Sequence, residues 1–599
     1  MRVKMTITKS LTYLSFLVLV LGCQSVQQPG QAPKMSANEQ VTKLVNDYSE
    51  QSLQFNPIRA TFIGIEGYND KFSPIISEEN RQKNLAFHQA FLERAKSIDI
   101  NRLSGQSRLT YKIFVRDREM ALQGSRFPFQ YIPINQMAGV HNFFAQLGSG
   151  NSVQPFKTEK DYRDFIKRSE GFAAWMDSAI ASMKQGIEKG VVQPKPIIAK
   201  VLPQLETHLV EDVRESIFYQ PLINLPSELA DNKKLIDDFT QSITNTIIPA
   251  YSRMYNFMKN EYMSAGRETV GLSALPDGKA WYEFMIKTHT TLDLTAEEIH
   301  EFGQQEVARI LAEMKSVKQT VGFKGDLPAF FEFLRTDDQF YFDKEEDLIN
   351  AYTNIKTKID RLVPQLFEVF PKADYEVRAI PAFRAASAAG ASYQSPAPDG
   401  SRPGIFFINT YNLKSQPKFL METLSIHEAA PGHHFQIAIQ QELEDLPSYR
   451  KFGGYTVFAE GWALYAESLG KQLGLFTDPY MWYGRLVDEQ LRAMRLVVDT
   501  GLHAKGWTRE QAIDFMLANS SMARSDVEAE VERYIVIPGQ AVAYKTGERK
   551  IRQLREYAKL ELGDNFDIKK FHTQVLIDGS MPMPVLEEKI KNWVASQKG

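Results

Sequence analysis

Between residues 39 and 130, apolar side chains recur at the three- and four-residue spacing of helices buried on one face, as in LVNDYSEQSLQF and FHQAFLERAKSI. Asn56-Pro57 and the polar run from Ser104 to Ser107 interrupt the pattern, so several helices are expected. The stretch FPFQYIPINQMAGVHNFFAQLGSG, 127–150, is different: Pro128, Pro133 and Gly139 break any helix. Its aromatic, Asn and Gln content suits a cleft wall or packing between helices, with His141 facing either. YRDFIKRSEGFAAWMDSAIASMKQGIEKG then predicts a long helix ending at Gly190, IAKVLPQLETHLVEDV predicts another, and the pattern continues through 231–270. Past a loop containing Pro276-Asp277-Gly278, Thr295 followed three residues later by Glu298 predicts a capping box that opens a long helix.

The pattern changes character at 377–413, VRAIPAFRAASAAGASYQSPAPDGSRPGIFFINTYNL. Small residues and alternation predict one or two strands about a Pro/Gly turn, with IFFIN the strongest. The expected class is therefore mainly α, a multi-helix fold with a small β element near 377–413. An N-terminal helical lobe at 39–270 and a second lobe at 271–599 are expected to form one cleft.

The first 38 residues follow another logic. Arg2, Lys4 and Lys9 precede LTYLSFLVLVLG, 11–22, a run with signal-peptide proportions and too short for a membrane span. It ends at Cys23, the single cysteine, and V-L-G-C resembles the bacterial lipobox, in which cleavage leaves a lipidated cysteine. The expectation is a signal peptide over 1–22 and a lipid-anchored polar tether over 23–38. Gln24 stands where inner-membrane retention favours Asp, which points to the outer membrane of a bacterial envelope. With no second cysteine, a disulfide within the chain and cysteine catalysis are excluded. A 43% apolar, 24% charged composition is that of an ordinary folded protein. The formal charge of -3, or -6 once the three leader cations are removed, gives no basis for nucleic-acid binding.

Chemistry concentrates in TLSIHEAAPGHHFQIAIQQE, 423–442, which holds three of the ten histidines. A catalytic zinc needs three protein ligands and an open position. The familiar His-Glu-x-x-His helix signature is absent, because Pro431 occupies the place of the expected second histidine and the chain reads His427-Glu428-Ala-Ala-Pro-Gly-His433-His434. On an ideal helix the residue six on lies about 120° around, and the residue seven on lies roughly 10 Å further along. Neither histidine meets His427 at one ion unless the backbone is distorted between 429 and 433, where Pro431 and Gly432 stand. His433 is the preferred ligand; His434 is the alternative, or a neighbour facing substrate. The third ligand is expected from VFAEGWALYAESLG, 457–470. Glu460 is preferred because Gly461 permits close helix approach; Glu467, on the same face, is the alternative ligand or hydrogen-bonds a ligand histidine. Glu428, beside a ligand, is expected to act as general base on the metal-held water. His503, Tyr534 and Tyr544 are candidate donors to an oxyanion. Arg492 and Arg495 are expected to pair with acidic neighbours, Lys545 or a nearby arginine is a candidate for a substrate carboxylate, and His572 reads as helical surface.

IHEAAPGHHFQ with the later FAEGWALYAE resembles the bacterial family known as domain of unknown function 885, itself similar to zinc metallopeptidases of the thermolysin-like clan. GHHFQIAIQQELEDLPS followed by FAEG also resembles the helical peptidases of the angiotensin-converting-enzyme type, in which a Gly-His closes the motif and a Glu ligand lies on the next helix. The resemblance covers about 40–595. It implies a peptidase-like helical fold with a deep cleft, one zinc per chain and hydrolysis of short peptides, and it supports His433 and Glu460. Pro431 and the two-residue lengthening depart from that pattern. The alternatives are a metal-dependent hydrolase of another amide or ester, and a non-catalytic solute-binding lipoprotein.

Overall fold

A computed structural model describes residues 35–598 apart from 74–75, 382–384, 386–388 and 398–399. Cys23, the leader and most of the tether lie outside the described residues. Among the described residues from Ala37 to Gln597 the regular elements are helices apart from one small sheet, and no helix is long and apolar enough to cross a membrane.

Helix ends fall where local chemistry puts them. Ser36 with Glu39, Thr158 with Asp161, Thr295 with Glu298 and Thr508 with Gln511 each form a reciprocal capping box that satisfies orphan N–H groups. The Glu159–Lys189 helix stops at Gly190, whose φ of 70° is the left-handed turn glycine adopts most easily.

The sheet has three strands: β1 (Tyr375–Ala379), β2 (Ala391–Gln394) and β3 (Gly404–Ile408). β3 is central, parallel to β1 with Tyr375 opposite Gly404, and antiparallel to β2 with Ala391 opposite Ile408. Every residue of β3 is buried, as a strand flanked on both edges and covered on both faces should be. β1 is the strand the sequence pattern did not separate. Its YEVRA reads as polar, and only its first residue is buried.

Burial is organised in several apolar clusters. One is built from residues 76–262 and is rich in stacked aromatics such as Phe144, Phe165 and Phe172. A second joins Ile426, Ala429, Phe458, Trp462, Ile551 and Ile590. A third lies between the Ala296–Thr320 and Pro479–Ala504 helices. Ile113, from the N-terminal third of the chain, belongs to the second cluster, so contacts cross the lobe boundary expected at 270.

The Pro479–Ala504 helix is buried almost all round although its sequence is rich in charge. Each charge there has a partner: Arg485 with Glu489, Arg492 with Asp488, and Arg495 with Glu530. Asp499 accepts from the Tyr282 hydroxyl and the Gly539 N–H. Pairing of this kind is what lets such groups leave water. His572 also differs from the sequence reading. It is fully buried, stacked on Phe367, and hydrogen-bonded to Leu366 O and the Tyr465 hydroxyl.

Candidate metal centre

The backbone around His427 departs from a helix where the residue types demand it. A short helix, Met421–Leu424, widens into a π-helical turn at Ser425–Ala429. Ala430 is extended at φ -110°, ψ 131°, and a new helix begins at His433. Pro431 explains the break, since it carries no N–H and excludes the residue before it from helical geometry. Gly432 explains the return: a Cβ there would lie 2.0 Å from the His427 carbonyl oxygen and 2.3 Å from that of Ile426. Only a glycine lets the loop fold back so closely. Trp462 pins the loop, its indole N–H donating to Pro431 O at 2.8 Å.

The Thr456–Ser468 helix brings Glu460 to the two histidines. It crosses the Ala543–Leu562 helix at bare backbone, where a Cβ on Gly461 would lie 2.6 Å from Gly547. His427, His433 and Glu460 offer two ring nitrogens and a carboxylate oxygen, all within 4.8 Å of one another. Glu460 Oε2 lies 3.6 Å from His427 Nε2 and 3.5 Å from His433 Nε2. Those separations are too long for hydrogen bonds. They match the roughly 3.3 Å between ligands of one tetrahedral zinc with metal–ligand bonds of about 2.0–2.2 Å. Glu460 Oε2 and His433 Nδ1 are buried without a hydrogen-bond partner among the described residues. A buried carboxylate oxygen facing two imidazoles at non-bonding distance fits a cation.

Glu467 lies two turns along the same helix and takes His427 Nδ1 at 2.7 Å. That bond leaves Nε2 facing Glu460 and fixes the ring for ligation. Burial pulls the His427 imidazole down, but the carboxylates of Glu460 and Glu467 outweigh it and hold the ring up to about 10. Burial pushes Glu460 up, yet the two imidazoles hold it well below the usual carboxylate range. Without a metal, His427 therefore retains its Nε2 proton through neutral pH. An ion must displace that proton, so apparent zinc affinity is expected to fall about tenfold per unit as pH drops from about 8 to about 6. Competition against a chelator of known affinity reads this, and a flat profile would remove the proton from the account.

Glu428 follows the first histidine and is partly exposed, with no hydrogen-bond partner among the described residues. Leu424, Glu428 and His433 form the accessible side of this segment, and Ala459 and Glu460 that of the facing helix, so one side of the centre is open. His434 points elsewhere: its Nδ1 is 2.8 Å from the Tyr393 hydroxyl of β2, and its ring lies on Tyr375.

The remaining candidates have hydrogen bonds of their own. His503 lies inside the Pro479–Ala504 helix, about 16 Å along the axis from Arg492. Its Nδ1 accepts from Leu272 N–H at 3.0 Å and its Nε2 donates to Tyr534 O at 2.9 Å, so both ring nitrogens are committed to packing. Burial holds it neutral, down at about 4. The Tyr534 hydroxyl accepts from Arg495 and donates to Glu530. The Tyr544 hydroxyl accepts from Arg533 and Gln540. Lys545 sits among Glu306, Glu489 and Glu548, leaving it no freedom for a substrate carboxylate. One neighbour, Tyr352, escaped the sequence reading: it is fully buried and feels the charge of Glu428. Arg492, expected to pair with an acidic neighbour, pairs with Asp488 and also feels the charge of Glu467. Both come from distant segments that no local pattern connects to the histidines.

The solved structures include two close in fold. A candidate lipoprotein from Colwellia psychrerythraea is 30% identical with a TM-score of 0.85, over 94% of this chain and 100% of that one. A candidate lipoprotein of unknown function from Shewanella oneidensis shares the fold at 20% identity and a TM-score of 0.69, over 92% of this chain and 99% of that one. No curated protein matches significantly. The family model described as bacterial protein of unknown function, DUF885, matches residues 57–590, and the chain belongs to that family.

Proposed function

We propose that this protein is a zinc-dependent hydrolase of peptide bonds in short peptides, held at the bacterial cell envelope by a lipid on Cys23. The observation that carries the reading is the His427–His433–Glu460 group with an unengaged carboxylate, Glu428, one residue after the first ligand. Zinc, when bound there, supplies Lewis acidity toward a carbonyl and toward water. The chain's own residues do the rest. Glu428 takes the proton of the attacking water and delivers it to the departing amine. Glu467 keeps the His427 ring oriented. β2 is an edge strand packed against the His427 turn, and its outer edge suits an extended peptide through backbone pairing. The envelope location rests on the V-L-G-C signature at Cys23 and on the description of both structural relatives as candidate lipoproteins.

The test is a panel of short peptides and small acyl esters and amides, incubated with purified protein before and after chelation, with products weighed by mass spectrometry and zinc measured by elemental analysis. Chelator-sensitive peptide cleavage with one zinc per chain is expected. Turnover of the small acyl compounds alone would assign a different hydrolase, and absence of both zinc and turnover would favour a solute-binding lipoprotein.

A further inference from the structure

A cavity of about 1180 Å³ opens at the start of the helix that carries Glu460, and its walls show what it takes. It lies between the Gly105–Gly124 helix, the end of the Gly278–Thr290 helix and the first residues of the Thr456–Ser468 helix. Thr456 lines it and stands four residues before Glu460, about 6 Å along the helix axis. Thr456, Ala459 and Glu460 are the partly exposed positions of that helix start, while Val457 and Phe458 are buried. The cavity and the metal centre thus share one helix face. An extended peptide advances about 3.3–3.6 Å per residue, so one or two residues span the interval.

The charged lining has an excess of cations, four arginines against Glu50 and Asp117. Two of the arginines are spent: Arg118 stacks 3.9 Å from the Tyr48 ring centre, and Arg450 donates to Gln106 and to the Asp578 and Ser580 carbonyls. Arg59 is exposed. Arg116 is different. Its side chain is 20% exposed, its one hydrogen bond among the described residues is a long 3.3 Å to Lys287 O, and it lies 3.7 Å from Asp117. Asp117 is already occupied as acceptor of the Tyr449 and Tyr455 hydroxyls. The guanidinium therefore retains donors for an incoming anion, and a carboxylate matches its fork. Phe55, Phe87, Ile63 and Phe452 supply an apolar wall, with Ile63 and Phe452 left 43% and 37% exposed.

We infer that this cavity receives the C-terminal end of a peptide, with Arg116 pairing the free α-carboxylate and the apolar wall taking a large side chain. This deepens the peptidase reading and rests on it: cleavage then removes one or two residues from the C-terminus, and a blocked C-terminus is a poor substrate.

The experiment is equilibrium binding by calorimetry, with chelator present so that no metal captures the carboxylate. Acetyl-Ala-Phe-Phe as free acid is compared with its C-terminal amide on the full chain, on Arg116→Gln and on Arg116→Lys. The acid is expected to bind at least about tenfold tighter than the amide to the unaltered chain, within about twofold of it to Arg116→Gln, and with intermediate preference to Arg116→Lys. Unchanged amide affinity in the variants shows an intact cavity. Equal binding of acid and amide by the unaltered chain, or a tenfold preference surviving in Arg116→Gln, overturns the assignment. A protein that holds zinc and cleaves peptides yet binds acid and amide alike loses only this pocket; one with neither zinc nor cleavage loses the reading beneath it.

Discussion

Replacing Glu428 by Gln is expected to lower peptide turnover by about 10²–10⁴-fold, the usual worth of a positioned general base. Zinc content is expected to stay at one per chain. The separation of the two effects is the point. Glu428 contributes no atom to the ligand group of His427, His433 and Glu460, and among the described residues it holds no structural partner whose loss would disturb the fold. The amide preserves shape and removes only the basic oxygen. Single-turnover kinetics together with elemental analysis read both quantities from one preparation. Loss of zinc in the Gln variant would make Glu428 a ligand and leave the base unassigned; retained turnover would place the base elsewhere.

The adjacent histidines provide the second large effect. His433→Ala is expected to weaken zinc binding by more than about 100-fold, beyond the range seen when a residue merely supporting a ligand is removed. His434→Ala is expected to keep its zinc and to lose stability instead, by roughly 1–3 kcal/mol, because the Tyr393 hydroxyl loses its buried partner. Zinc titration and denaturant melts of the two variants form a crossed comparison. The reverse pattern, with metal lost in the His434 variant, would exchange the roles of the neighbours.

Why one histidine faces Glu460 and the next faces the sheet was partly legible in the sequence. Pro431 and Gly432 signal a distorted backbone, and the structure realises it as a π-helical turn followed by a full break. Gly461 signals close approach because few other residues permit it, although its partner Gly547 lies 86 residues on and carries no signal of its own. Helices were legible for the ordinary reason that their apolar spacing and caps are local. β1 was not, because YEVRA becomes a strand through parallel pairing with β3, whose sequence lies about 30 residues away. His503, Tyr534 and Tyr544 have suitable chemistry, but each already holds hydrogen-bond partners. Spacing along a chain says little about which segment of a multi-helix fold another will meet, and their hydrogen bonds go to Leu272, Glu530 and Arg533.

The crossing of Gly461 with Gly547 has a consequence for how the centre tolerates change. Most distances between packed helices can be absorbed by rotamer adjustment, since flexible side chains lie between the backbones. Here nothing lies between them, so the interval is fixed by two main chains in contact. Glu460, one residue from that contact, has its distance to the histidines set by a spacer of zero thickness. Any side chain at either glycine is a shim that tilts the carboxylate away from its partners. The most exacting requirement on the coordination geometry thus falls on two residues with no functional group.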